Sequence, residues 1–322
     1  MSRRGIILLI LILAFFTVPA FSQWTEPVPV TVANDSFGED WSPFLSFDGL
    51  TLYFSRVIST SSYTGKIYIA SREKAVGPFT SVKMLAGALN NSPGHQLCPW
   101  ISCDNLRMYY HNESNGRYRL MLSERASINN SWPAGVSIEE LNTLGDKLQA
   151  PSLTQDELVV VFDAYNLPGG KGGYDVWMAT RTNRHSPFTQ YRNLSEINSA
   201  FDENRTSISP DGLEIYFDSK RNGKPQIFRA TRKSLDEPFS NAEQFSKFDV
   251  PGSISSQAVI SYNGRELYFR RELDSNRSTR DIYVSYSTEN TYYLDSNDGS
   301  DLNIGTGYKE DFITIQKGNK NE

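Results

Sequence analysis

The chain has 322 residues, with 32 lysines and arginines against 37 aspartates and glutamates and a formal net charge of −5. That balance argues against nucleic acid and anionic membrane surfaces, since both demand a cationic stripe that releases counterions. Its three histidines and two cysteines fall at no metal-ligand or redox spacing, so neither a cofactor nor a bound metal is expected.

The N-terminus reads as an export leader. Arg3 and Arg4 precede an apolar run, Ile6 to Phe16, too short to span a bilayer. Ala20-Phe21-Ser22 offers small residues at the −3 and −1 positions, so a signal peptide over residues 1–22 and cleavage before Gln23 are expected. No cysteine stands there to take a lipid. The processed chain would lose two arginines, becoming more acidic, and would have no stable membrane insertion. A periplasmic or extracellular location follows.

Past the leader, one phrase returns five times. Its copies are Ser46-Phe47-Asp48-Gly49-Leu50-Thr51-Leu52-Tyr53-Phe54, then Ser102 to Tyr110, Thr154 to Phe162, Ser209 to Phe217 and Ser261 to Phe269. The turn acid or amide sits at Asp48, Asp104, Asp156, Asp211 and Asn263, in steps of 56, 52, 55 and 52. A repeat of that length built from short strands points to an all-β, five-bladed β-propeller over residues 23–290. Within each copy an innermost strand such as Trp41 to Ser46 meets an Asp-Gly or Asn-Gly pair, which supplies the positive φ of a tight hairpin. Asn105 can serve in copy two. Glu157 has no such ease, so the third turn is expected to differ.

A second strand of the Leu-x-Leu-Tyr-Phe kind follows, then a third: Ile67 to Ala70, Leu120 to Ser123, Val176 to Ala179, Ile227 to Ala230 and Ile282 to Ser285. The alternation favours strands over helices. Phe79, Trp132, Phe188 and Phe239 open the outer segments of four copies. The fifth has none of its own, and Gln23-Trp24-Thr25-Glu26-Pro27-Val28-Pro29-Val30 has the same character. Residues 24–33 are therefore expected to complete blade five as its outermost strand and close the ring.

Three recurring features read as structure. Tyr53, Tyr109, Tyr216 and Tyr268 share one register, as core packing between blades would produce. Arg72, Arg125, Arg181 and Arg232 end third strands and are expected to make exposed pairs with acids of adjacent loops. Cys98 and Cys103, five residues apart on one expected strand, would lie roughly 16 Å apart, beyond disulfide reach. The glycine-rich run Gly169 to Gly173 lies between two strands, without the Gly-Lys-Ser/Thr ending of a phosphate cradle, and reads as a hairpin loop.

The phrases Ser-Pro-Asp-Gly-Leu-Glu-Ile-Tyr-Phe-Asp-Ser (209–219) and Asp175-Val176-Trp177-Met178-Ala179 resemble the WD-like propeller repeats of TolB-type periplasmic proteins. The likeness covers residues 24–290 and implies fold alone. TolB has six blades and an extra N-terminal domain, so its role is not carried over. The tail, residues 291–322, differs. Tyr292-Tyr293-Leu294-Asp295 and Phe312-Ile313-Thr314-Ile315-Gln316 resemble the opening of a right-handed parallel β-helix of the pectate-lyase-like kind. So short a start would be poorly ordered alone. Asp295, Asn297, Gly299 and Asp301 fall one residue short of a calcium loop.

The candidate site lies just upstream of the innermost strands, where propeller sheets meet the central channel. Glu39 and Asp40, His95 and Gln96, and Asp202 and Glu203 are the expected ligand-binding residues, with Lys147 and Ser255 at matching positions. Four carboxylates from two blades would face one mouth. No Gly-x-Ser-x-Gly elbow or other nucleophile constellation occurs, so no catalytic residue is assigned. The expectation is an exported, non-enzymatic module binding an envelope protein or a glycan. The alternative is a glycoside hydrolase resembling the five-bladed arabinanase and invertase types, with Asp40 and Glu203 as its carboxyl pair. The ligand's identity and the oligomeric state are not legible in the sequence.

Overall fold

The structure is a computed structural model describing residues 24–34, 38–58, 64–273 and 276–288. The expected leader, and the expectations for the tail, lie outside the described residues.

Five four-stranded antiparallel sheets form a ring, which makes the chain a five-bladed β-propeller. The outermost strand β1 (Val28–Pro29) comes first in the chain. Blade one is β2 (Gly38–Leu45), β3 (Thr51–Ile58), β4 (Thr64–Ser71) and β5 (Ser81–Met84). A short helix α1 (Ala88–Asn91) leads to blade two: β6 (His95–Ile101), β7 (Arg107–Ser114), β8 (Arg117–Glu124) and β9 (Val136–Ser137). Helix α2 (Glu139–Asn142) leads to blade three: β10 (Leu148–Leu153), β11 (Val159–Tyr165), β12 (Tyr174–Thr180) and β13 (Gln190–Asn193). Blade four is β14 (Glu203–Ile208), β15 (Glu214–Ser219), β16 (Gln226–Thr231) and β17 (Glu243–Gln244). Blade five is β18 (Ser253–Ile260), β19 (Glu266–Leu273), β20 (Asn276–Tyr286) and, beside β20, the returning β1. Among the described residues no helix is long and apolar enough to cross a membrane.

The repeated phrase builds its own hairpin. In copy one Ser46 Oγ donates to Asp48 Oδ1 at 2.6 Å, which also accepts Leu50 N–H at 3.0 Å, while Thr51 N–H donates back to Ser46 Oγ at 2.9 Å. The same set recurs at Ser102/Asp104, Ser209/Asp211 and Ser261/Asn263, and with Thr154 and Asp156 in copy three. Side-chain oxygens thus replace backbone partners the tight turn would lose. The next residue takes positive φ: Gly49 at 71°, Asn105 at 57°, Gly212 at 73° and Gly264 at 69°.

The third turn corrects the expectation that it differs. Glu157 takes the same conformation, φ 61°, and its N–H makes the same bond to Thr154 O at 2.9 Å. A non-glycine residue there costs about 1–2 kcal/mol. The Glu157 side chain supplies the compensation. Its carboxylate is buried and accepts from Arg107 at 2.7–3.0 Å and from the Tyr109 hydroxyl at 3.0 Å, with Arg181 at 3.6 Å.

The recurring arginines are also corrected: they hold the turns from inside, instead of making weak exposed pairs. The Nε–H groups of Arg72, Arg125, Arg181 and Arg232 donate at 2.6–2.9 Å to the carbonyls of Gly49, Asn105, Glu157 and Gly212, the positive-φ residues. Each guanidinium lies 4.2–4.7 Å from the ring that opens its outer segment: Phe79, Trp132, Phe188 or Phe239. Arg72 does pair with an acid of the neighbouring blade, Glu266 at 3.0 Å, and both are buried. An asparagine repeat went unread in the sequence. Asn34, Asn90, Asn142 and Asn198 each bond both the N–H and C=O of a third-strand residue: Ile282, Ile67, Leu120 and Val176.

The core lies between blades. Tyr53 packs with Ile101 and Met108 of blade two, Tyr109 with Leu148 and Leu153 of blade three, and Tyr216 with Ile260 and Leu267 of blade five. Tyr268 packs with Leu45 and Leu52 of blade one across the closure. Burying such a side chain contributes about 1.5–3 kcal/mol. The closure itself follows the sequence reading. Val28 pairs with Val284 and Pro29 with Tyr283, while Thr25 N–H and Val30 N–H donate to Tyr286 O and Ile282 O. Trp24 is 3% exposed and bridges to Ser287, completing blade five where other copies use their own aromatic.

Candidate functional site

All five innermost strands break register at one place. The shifts fall between Trp41 and Phe44, Leu97 and Trp100, Gln149 and Ser152, Asn204 and Ser207, and Ser256 and Val259. Each bulge holds one non-glycine residue with positive φ: Ser42 (48°), Cys98 (55°), Ala150 (51°), Arg205 (57°) and Gln257 (59°). These five residues form a ring around the channel. The cavity they help line measures about 40 Å³, which holds a few waters and no sugar ring. A ligand larger than that must sit at a mouth.

The bulges are locked from the preceding blade. Cys98 N–H donates to Ser55 Oγ at 3.0 Å, Ala150 N–H to His111 Nδ1 at 3.4 Å, Arg205 N–H to Asp163 at 2.6 Å and Gln257 N–H to Asp218 at 2.8 Å. Asp163 also takes Thr206 N–H at 3.3 Å and the Thr206 hydroxyl. The fifth joint differs, because Arg270 occupies the acceptor's register and can only donate. Ser42 N–H goes instead to Gln257 Oε1 at 2.6 Å. Burial pushes Asp163 and Asp218 up to about 7, against the hydrogen bonds that favour their charged forms. Burial likewise holds His111 well below its ordinary value, matching its neutral, accepting Nδ1.

The channel mouth remote from the Asp-Gly turns gathers charge and aromatic faces. The guanidiniums of Arg205, Arg270 and Arg280 lie 5.4, 5.5 and 5.3 Å from the Trp41 ring. Glu272 accepts from Arg280 at 2.9 Å and pairs with Arg270 at 3.3 Å, and Glu39 pairs with Arg280. Burial and the Arg280 charge bring Arg270 down to about 10. In blade three the Lys147 ammonium lies 5.6 Å from the Tyr118 ring and 5.3 Å from Tyr165, whose ring is 5.0 Å from that of Tyr174.

The six residues named from the sequence divide. Glu39 joins the Trp41 cluster through Arg280. Asp202 stays part-exposed, holding Lys220 at 2.7 Å and Tyr174 N–H at 3.1 Å, and these contacts keep its carboxyl below the ordinary range despite partial burial. His95 Nδ1 accepts Gly65 N–H at 2.9 Å. The other three lie inside their blades. Asp40 is fully buried against Arg56 at 2.7 Å, and Gln96 accepts Lys66 at 2.6 Å. Glu203, equally buried, accepts Ser199 N–H at 2.7 Å, both the Ser199 and Ser219 hydroxyls at 2.6 Å, and Arg221 at 3.1 Å. Four carboxylates facing one mouth is thus corrected to two, because Asp40 and Glu203 have no exposed surface. Of the further positions, Lys147 reaches the mouth, whereas Ser255 is buried and donates to Phe248 O.

The expectation that both cysteines lie on one strand is corrected too: Cys98 sits at the bulge, and Cys103 follows the end of β6 in the turn. Both are free. The glycine-rich loop offers no anion cradle, since Asp175 already takes Lys171 N–H at 2.9 Å and Gly172 N–H at 3.2 Å. Trp41, Arg205, Arg270, Arg280 and the bulge ring were missed in the sequence. One signal was present: six residues before each turn acid the copies disagree, and in three of them a proline follows (Pro43, Pro99, Pro151), as a bulge on an edge strand allows.

No protein-family model and no curated protein matches the chain. Solved structures do. A thermostable family-43 glycoside hydrolase is similar at 10% identity and TM-score 0.54, over 82% of this chain and 97% of that one. An α-L-arabinofuranosidase of Podospora anserina, in complex with cellotriose, is similar at 13% identity and TM-score 0.53, over 83% and 97%. A putative TolB of Agrobacterium tumefaciens is similar at 16% identity and TM-score 0.44, over 74% and 71%. At these identities the likeness is one of fold.

Proposed function

We propose that the chain is an exported, non-enzymatic binding module that holds a glycan of the cell envelope or its surroundings at the arginine-lined mouth. One observation carries the reading: the five copies agree in frame and backbone but differ in the side chains at the bulges and this mouth. A propeller built only as a spacer has no need of five different residues at equivalent channel positions. The mouth combines what sugar recognition uses, exposed aromatic face at Tyr165 with hydrogen-bonding charges at Lys147, Asp202 and Arg205. Calorimetric titration against a panel of oligosaccharides should give saturable binding with no release of reducing sugar. Retention of an envelope protein together with no affinity for any glycan would overturn it.

The second reading is a glycoside hydrolase, favoured by the five-bladed likeness to the family-43 enzyme. Such chemistry needs two carboxyls open to substrate, about 5–9.5 Å apart. Asp40 and Glu203 are enclosed and fully engaged, and the mouth's own acids, Glu39 and Asp202, already sit in ion pairs. Reducing-sugar release from arabinan, lost in both Glu39→Gln and Asp202→Asn, would favour the enzyme over the binder.

A further inference from the structure

We infer that the glycan taken at this mouth is acidic, a uronate whose carboxylate is received by Arg205. The inference rests on the glycan reading above and adds the charge of the ligand.

Arg205 is unlike the other bulge residues. Its backbone is fixed by Asp163, and its side chain crosses the channel toward blade two, beneath Trp41 of blade one. A guanidinium carries five N–H donors. Beyond the Trp41 ring, this one has a single weak acceptor, Cys98 Sγ at 3.5 Å. Among the described residues no carboxylate lies within 4 Å of it. The acids that face it are committed elsewhere. Asp163 and Asp218 accept backbone N–H groups at the blade joints, Glu272 bridges Arg270 and Arg280, and Glu39 holds Arg280. Among the described residues the guanidinium of Arg205 therefore lacks an oxygen acceptor.

Around Arg205 the cations Arg270, Arg280 and Lys147 stand among Glu39, Glu272 and Asp202, each already held in an ion pair, and among Asp163 and Asp218, which burial pushes up to about 7. Arg205 keeps some accessible surface, so a small planar group can approach its guanidinium. A carboxylate matches the guanidinium fork in two parallel hydrogen bonds. The sugar ring would remain at the mouth beside Tyr165 and Tyr174.

The test is titration of the protein with trigalacturonate, neutral galactotriose and a sulfated galactotriose at low and high salt. Trigalacturonate should bind at least tenfold more tightly than galactotriose at low salt, with the margin shrinking as salt rises. Arg205→Gln should erase that margin, and Arg205→Lys should keep part of it. Glutamine already occupies this register at Gln257, so the substitution should leave the melting temperature in place. If it unfolds the protein, the salt dependence of the native margin still decides. Equal binding of the uronate and neutral sugars overturns the inference and leaves the glycan reading standing. Tighter binding of the sulfated sugar overturns the carboxylate assignment. No binding of any sugar overturns both readings.

Discussion

Two registers of the same strand, six residues apart, solve opposite problems. At the turn register the side chain makes the geometry: Ser46 and Asp48 tie the hairpin, so their equivalents recur in every copy. At the bulge register the geometry comes from the neighbouring blade, whose Ser55, His111, Asp163 or Asp218 captures the bulged N–H. The bulge side chain is then free to be Ser42, Cys98, Ala150 or Arg205, while Gln257 also holds the Ser42 N–H at the fifth joint. Repetition in this chain therefore marks frame, and its loss marks the surface available for recognition. Substitutions at the two registers should differ sharply in cost, and the closure should cost most.

Removing residues 24–34 takes away the strand that covers β20, the buried Trp24, and the Asn34 bonds to Ile282. The expected outcome is loss of cooperative unfolding. Trp24→Ala alone should cost about 3–5 kcal/mol in urea denaturation. An unchanged transition in either would mean that the ring does not depend on this strand, and the frame would extend no further than the covalent blades.

Glu157 tests the frame from within. Glu157→Ala leaves Arg107 and the Tyr109 hydroxyl without their buried acceptor and should cost about 3–5 kcal/mol. Glu157→Gly loses the same contacts but relieves the positive φ, so it should be about 1 kcal/mol less damaging than alanine. If the two variants melt together, the backbone at this turn holds no strain and the compensation argument fails.

Asp218 separates joint from channel by its pH response. Its folded pKa, about 7, lies above the ordinary 3.8. The stabilisation from protonation is therefore complete below that ordinary value and is lost as pH rises through 7. Asp218→Asn can still accept Gln257 N–H but cannot ionise. The stability of the native protein relative to this variant should fall by about 2 kcal/mol from pH 5 to pH 8. Taking the difference matters, because His111, whose folded pKa is depressed, contributes with the opposite sign, losing stability as pH falls below 6.5. A flat difference would place the Asp218 carboxyl in ordinary contact with water.

The same contrast explains what could be read in advance. Asp48-Gly49 announces its turn because the cause and effect lie within a few residues, and Trp24 announces the closure because its type matches Phe79, Trp132, Phe188 and Phe239. The third turn was misread because Glu157 draws its compensation from Arg107 and Tyr109, about fifty residues upstream in sequence. The arginines were misread as exposed because their acceptors are backbone carbonyls, which leave no mark on composition. Asp40 and Glu203 stood at the correct end of the strand. However, the side-chain direction beside a bulge follows from the register shift, and no residue type in the sequence encodes that shift.

The smallest effect should come from Cys98→Ser. Serine already occupies the same register at Ser42, with φ 48° against 55° at Cys98. The N–H bond that fixes the bulge belongs to Ser55 and does not involve the thiol. A hydroxyl can replace the thiol in its 3.1 Å contact with Ser42 Oγ and accept from Arg205 more strongly than sulfur does. Stability should change by less than about 0.5 kcal/mol. Affinity for an acidic sugar should fall, because the new hydroxyl gives Arg205 the acceptor it lacks and competes with the ligand for it. A large loss of stability from so slight a change would show that the channel ring belongs to the frame after all.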